Sequence, residues 1–140
     1  MRILIAMDES DDALRAAQAV ARSLQPANSQ VLLLHVLEPA AALEPDQSVW
    51  KREEQAKIFL NNASAELQRA NFMDVATRLV DGEPQKRIVE VAREWNADFI
   101  VLGSQGRTGL ADILLGSVAE SVARHADCSI VIVRRPIAGA

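Results

Sequence analysis

Apolar positions along this chain alternate between two patterns, short unbroken runs and longer segments with helical spacing. "RILIAM" (2 to 7) is apolar after its first residue, rich in Ile and ended by Asp8, as expected of a strand buried on both faces. Ser10 precedes "DDALRAAQAVARSLQ" (11 to 25), where Leu14, Ala17, Ala21 and Leu24 share a face and the leading carboxylates suit the positive end of a helix. Turn residues then introduce a second buried run, 31 to 37, closed by Pro39. After a small-residue stretch to Pro45, the charged segment 47 to 70 carries Val49, Ala56, Phe59, Leu60, Ala63 and Leu67 at helical spacing.

The third run, "VATRLV" (75 to 80), differs: Val75, Thr77 and Leu79 alternate with Ala76, Arg78 and Val80, the pattern of a sheet edge with one face in water. Pro84 is placed to open a helix whose Ile88, Val91, Ala92 and Trp95 form one face. "DFIVLG" (98 to 103), "SVAESVARHA" (117 to 126) and "SIVIVR" (129 to 134) read as strand, helix and strand. Such alternation predicts parallel strands joined by crossover helices. The expectation is an α/β fold: one doubly wound domain over 1 to 140, with a five-stranded parallel sheet in the order 3-2-1-4-5 and two helices on each face. That order leaves the last strand at an edge, where Ile130, Val131, Ile132 and Val133 are all apolar and need a cover. The same strand of a second copy, paired antiparallel across a two-fold axis and flanked by Arg134 and Arg135, is the simplest one.

Composition narrows the function. With 140 residues, 49% of them hydrophobic, the chain is long enough for one real core. A net charge of -4 offers no general electrostatic footprint for nucleic acid or for an anionic membrane surface. The apolar run near Met1 is too short for a signal-peptide core or a membrane span, and the single Cys128 suits a reducing compartment, so a cytoplasmic protein is expected.

Parallel sheets of this kind bind ligands at the carboxyl ends of their strands, which points to Asp8, to His35 through Leu37, and to Gly103 onward. "GSQGRTGLADILLGS" (103 to 117) holds four of the 6 glycines. Gly103 and Gly106 let main-chain N–H groups approach an anion, while Gly116 and Ser117 begin the next helix, whose first turn favours a phosphate. The stretch has the chemistry of a polyphosphate cradle. It lacks the Gly-Lys-Ser or Gly-Lys-Thr of a Walker loop, and "AMDES" stands after the first strand where a dinucleotide fingerprint would lie.

The spacing G-x2-G-x9-G-S, together with Asp8 ending strand one and His35-Val36 near the end of strand two, resembles the ATP-binding signature of the universal stress protein family. The resemblance implies that Gly103, Gly106, Gly116, Ser117 and Val118 contact the phosphates and ribose and that Asp8 lies beside the nucleoside; Ala6, Met7, Leu102 and Arg107 adjoin these positions and complete the candidate set. It places the main chain of Val36 against the adenine. Where many nucleotide-binding members carry Pro-Thr before the Asp, this chain has Ala6 and Met7. The implied ligand is ATP, accompanied by magnesium, and the family's dimers match the cover expected for the last strand.

Asp8 has the chemistry to bond a ribose hydroxyl, the adenine edge or the magnesium ion, and equally to cap the first helix. Arg107 and Thr108 suit a terminal phosphate or plain solvent. His35 reads as a strand residue with a satisfied hydrogen bond, His125 as a partner for a helix dipole, Cys128 as packing, and Trp50 and Trp95 as helix-face anchors. A kinase or ATPase needs a group to position the nucleophile and charge to stabilise the transition state, and near the loop stand only Asp8, Arg107 and Ser117. The expected function is therefore an ATP-binding stress-response module, a small dimeric regulator with at most slow hydrolysis. A nucleotide-dependent enzyme and a nucleotide-free interaction scaffold are the alternatives.

Overall fold

The computed structural model describes residues 1–8, 11–24, 26–39, 49–104 and 115–134, with 11 and 12 by main chain alone. The elements are β1 (Arg2–Met7), α1 (Asp11–Ser23), β2 (Gln30–Leu37), α2 (Val49–Arg69), β3 (Asp74–Asp81), α3 (Pro84–Trp95), β4 (Phe99–Gly103), α4 (Ser117–His125) and β5 (Ser129–Val133). All four strand pairings are parallel, and the order is β3-β2-β1-β4-β5. The predicted α/β sheet is thus the observed one.

Strand periodicity divides the core into two layers. Ile3, Ile5, Met7, Val31, Leu33 and Val101 point to α1 and α2, whose Ala13, Ala16, Ala17, Val20, Leu60, Ala63 and Leu67 meet them. Their neighbours Leu4, Leu32, Leu34, Val36, Ile100 and Leu102 point to α3 and α4. Two helices therefore cover each face. Three of the helix-to-strand turns place an asparagine at positive φ, namely Asn28 (63°), Asn71 (71°) and Asn96 (58°), a conformation that Asn tolerates better than most residues.

Some side chains stand elsewhere than their spacing predicts. In α1 the buried face runs through Ala13, Ala16, Ala17 and Val20, and Leu14 is 38% exposed. Alanines let this helix approach the sheet closely, and a leucine on that face would hold it off. In α2 the buried stripe is Arg52, Ala56, Leu60, Ala63 and Leu67. Val49 and Trp50 fall outside that stripe, so Trp50, 71% exposed, anchors nothing among the described residues. Trp95 does pack on the second layer. On β3, Val75, Leu79 and Val80 are half-buried while Thr77 is exposed, so the predicted alternation is only partial at this edge.

The other edge has a defined polarity. Ser129 N donates to the Asp98 carbonyl, and the Val133 carbonyl accepts from Ser104 N. Main-chain groups alternate sides along a strand. Residues 129, 131 and 133 therefore spend theirs on β4, and Ile130 and Ile132 turn theirs to the open edge. The Val131 side chain is 39% exposed there.

Leu67 is fully buried between α2 and the sheet. Leu67→Ala is expected to cost about 2–5 kcal/mol, read as a lowered midpoint in urea with an unchanged slope. A loss below about 1 kcal/mol would mean that the α2 layer is not packed as described.

Candidate functional site

The pairing registers open a crevice at one place. β1 pairs with β2 as far as Met7↔His35 but with β4 only as far as Ile5↔Val101, whereas β4 stays paired with β5 to Gly103↔Val133. β1 and β4 therefore fork after Ile5 and Val101. This is the point in the sheet where the direction of winding reverses.

The same alternation decides which main-chain groups face the fork. Gln30 N donates to the Met1 carbonyl, so the even residues of β2 turn to β1 and the odd residues of β1 turn to β2. Ala6 thus directs its carbonyl toward β4, and Gly103 its N–H toward β1, across the first step beyond the last paired residues. Val36 also turns toward β1, which has ended at Met7, so its carbonyl looks past the strand into the crevice. The side chains of Met7, Val36 and Leu102 are buried in the core, and Ala6 packs against it. These residues offer the site main chain rather than side chains.

α4 starts beside the fork, at the end of β4. Ser104, buried at the end of β4, accepts at its carbonyl from Gly116 N at 2.7 Å and donates its own N–H to the Val133 carbonyl at 3.1 Å. These two bonds fix the start of α4 against the ends of β4 and β5. Gly116 is the N-cap, with φ −64° and ψ 157° and no side-chain cap bond. The first intrahelical bond recorded there is Glu120 N to the Gly116 carbonyl, at 3.0 Å. The N–H groups of Ser117, Val118 and Ala119 accordingly have no acceptor within the helix. Ser117 is exposed at this end, and Val118 turns its side chain into the second layer. Gly106, Arg107 and Thr108 lie outside the described residues.

His35 ties the ends of β1 and β2 together. Its ring is buried, and Nδ1 lies 2.7 Å from the Met7 carbonyl. A carbonyl only accepts, so Nδ1 carries the proton and donates. The ring meets Phe59 of α2 edge to face, with centroids 4.9 Å apart. This is the satisfied strand histidine expected from the sequence. His125 donates Nδ1–H to the Ser121 carbonyl at 2.8 Å in the last turn of α4. Cys128 is half-buried against the second layer, and burial pushes its thiol up, which fits packing.

Asp8 lies half-buried just after β1, at the mouth of the fork. Among the described residues no three His, Cys, Asp or Glu gather as they would around a metal ion. No helix among them is long and apolar enough to cross a membrane.

Sequence spacing missed Arg52. Continuing the stripe Ala56, Leu60, Ala63 and Leu67 back by one turn reaches this position, and a charge on an apolar stripe was the available signal. A groove of about 1030 Å³ lies at the opposite, amino ends of the strands, beside Met1, Arg2, Asn28, Asp74 and Asp98. Arg2, Asp98 and the amino terminus are used within the fold: Arg2 N donates to Asp98, Arg2 Nη1 to the Trp95 carbonyl, and the Met1 nitrogen to the Asn28 carbonyl. It carries no chemistry comparable to the fork.

Residues 1–134 match the family model described as the universal stress protein family. The chain is 32% identical to the universal stress protein MJ0531 of Methanocaldococcus jannaschii, over 96% of this chain and 82% of that protein. Its structure is similar to that of hypothetical protein MJ0577, a universal stress protein of the same organism, with a TM-score of 0.84 and 32% identity over 98% of this chain and 97% of the other. It also resembles the universal stress protein of Archaeoglobus fulgidus in complex with dAMP, with a TM-score of 0.73 and 26% identity over 96% of this chain and 98% of that one.

Replacing His35 with Leu removes the hydrogen bond to Met7 and is expected to cost about 1–3 kcal/mol in a urea titration. His35→Asn, which keeps an N–H near the Nδ1 position, should recover part of the loss. Equal losses in the two variants would assign the effect to ring packing on Phe59 instead.

Proposed function

Because this chain belongs to the universal stress protein family, we propose that the fork between β1 and β4 holds an adenine nucleotide, with its phosphates at the first turn of α4 and its base at the main chain of Val36. The observation that carries the reading is the start of α4, held at the end of β4 beside the fork by the Gly116–Ser104 hydrogen bond and capped by no side chain. Main-chain donors and the helix dipole suit an anion there. Gly103 N–H and the Ser117 hydroxyl add donors, and Gly106 and Arg107 extend the cradle along the chain. The similar A. fulgidus protein, in complex with dAMP, supports the choice of an adenine nucleotide.

The form we assign to this chain is ATP with magnesium. Magnesium keeps several waters and binds through one or two carboxylates plus substrate phosphates, so Asp8 with the polyphosphate suffices and no protein cage is needed. In this reading residues 1 to 140 work as one nucleotide-binding domain. The nucleotide acts as a regulatory ligand that stabilises or reshapes the surface read by partners. In this reading hydrolysis is slow, because among the described residues the fork offers main-chain groups and Asp8, which the magnesium ion takes.

Gly116→Val tests the phosphate site. The backbone angles at Gly116 are open to valine but the residue is buried, so the variant is scored only where its urea midpoint shows it folded, and a branched side chain there blocks the approach to the helix start. Calorimetry should show ATP affinity lower by tenfold or more, with unchanged far-ultraviolet circular dichroism. Full affinity in the folded variant would remove the assignment.

We also propose a homodimer seamed along β5 through Ile130, Val131, Ile132 and Val133. Ile132→Pro removes an N–H directed at the open edge and leaves the ladder to β4 intact, so it should yield monomers in sedimentation. Val131→Pro instead breaks the β4–β5 ladder and is expected to destabilise the fold. A dimer that survives both Ile132→Pro and Ile132→Lys places the interface elsewhere.

A further inference from the structure

α2 begins its buried stripe with a cation. Arg52 is 8% exposed and occupies the position one turn before Ala56. Among the described residues its hydrogen-bond partner is the Glu38 carbonyl, 3.0 Å from Nη2, and no carboxylate pairs with it. A guanidinium carries five N–H donors, and removing its charge from water is costly unless further partners compensate. Among the described residues, one neutral carbonyl uses only a part of that capacity.

The position of Arg52 indicates which ligand group would use it. Glu38 follows Val36 by two residues, so the guanidinium is bonded to the chain just beyond the exit of β2, on the Val36 side of the fork. α2 packs on α1, β2 and β3, whereas the candidate phosphate donors belong to β4 and α4 on the other side of the fork. The end of the ligand nearest Arg52 is therefore the base.

We infer that Arg52 is a base-contacting residue that takes the purine of the bound nucleotide; the inference rests on the nucleotide reading above. A purine offers ring nitrogens that accept hydrogen bonds and a π face on which a planar guanidinium stacks. Arg52 would supply both while its bond to Glu38 holds the plane in place. The same residue then contributes the cationic character that the fork lacks among its main-chain groups.

Adenosine and AMP separate base from phosphate. Arg52→Met keeps the aliphatic stem, removes every donor, and should weaken both ligands by the same factor, about tenfold, in calorimetry. Unchanged affinity for both would make Arg52 a structural tie to Glu38 and overturn the inference. A loss confined to AMP would place the guanidinium on the phosphate and overturn it as well. If the variant does not fold, the wild-type protein decides: the Arg52 Nε–H resonance should shift on addition of adenosine, and a resonance that does not move refutes the contact. Wild-type protein that binds neither ligand overturns this inference, and the nucleotide reading fails with it only if ATP with magnesium is not bound either.

Discussion

The fork between β1 and β4 follows from the handedness of parallel crossovers. A right-twisted sheet returns each crossover on one hand only, so helices built while the chain moves outward on one side of β1 cover one face, and those built on the other side cover the opposite face. Here α1 and α2 take the first face as the chain adds β2 and β3, and α3 and α4 take the second as it adds β4 and β5. Helices therefore leave the two central strands toward opposite faces, and the strands part after Ile5 and Val101. The carboxyl end of the sheet has a crevice where the winding reverses, and the remaining site features are arranged around it.

What the crevice presents is mostly backbone. Met7, Val36 and Leu102 must be apolar because their side chains fill the two layers. Their main chain is nevertheless placed by the strand alternation that buries those side chains. Core packing and the site thus make separate demands on one stretch of chain, and the demands do not conflict. The Ser104 main chain joins the two: it closes the β4–β5 edge through Val133 and sets the start of α4 through Gly116. His35 does similar work on the other side, holding the end of β1 to β2 from within the α1–α2 layer.

Arg52 is where the packing logic and the chemistry diverge. A stripe of Ala and Leu at helical spacing is sufficient to seat α2, and a guanidinium in the same register adds desolvation cost. Its bond to the Glu38 carbonyl offsets a part of that cost. A position that is poor for packing and is tied to the chain just beyond β2 is the observation on which the proposed base contact rests.

Much of this was legible in the sequence. Unbroken apolar runs such as "RILIAM" and "VLLLHVL" determined buried parallel strands, because only a strand covered on both faces tolerates them. The glycines at 103 and 116, with Ser117, marked the passage from β4 to α4. The side of a helix that is buried was less legible. Leu14 and Trp50 look like core residues by type, yet Ala13, Ala16 and Arg52 take the buried positions, because the distance between helix and sheet selects residues by size and register rather than by hydrophobicity alone. Nor could the sequence reveal that β1 leaves β4 two residues before it leaves β2, or that Ile130 and Ile132, and not Val131, turn their main-chain groups to the open edge. Those outcomes depend on register between strands far apart in the chain, and a single strand's residues carry no record of where its neighbours stop.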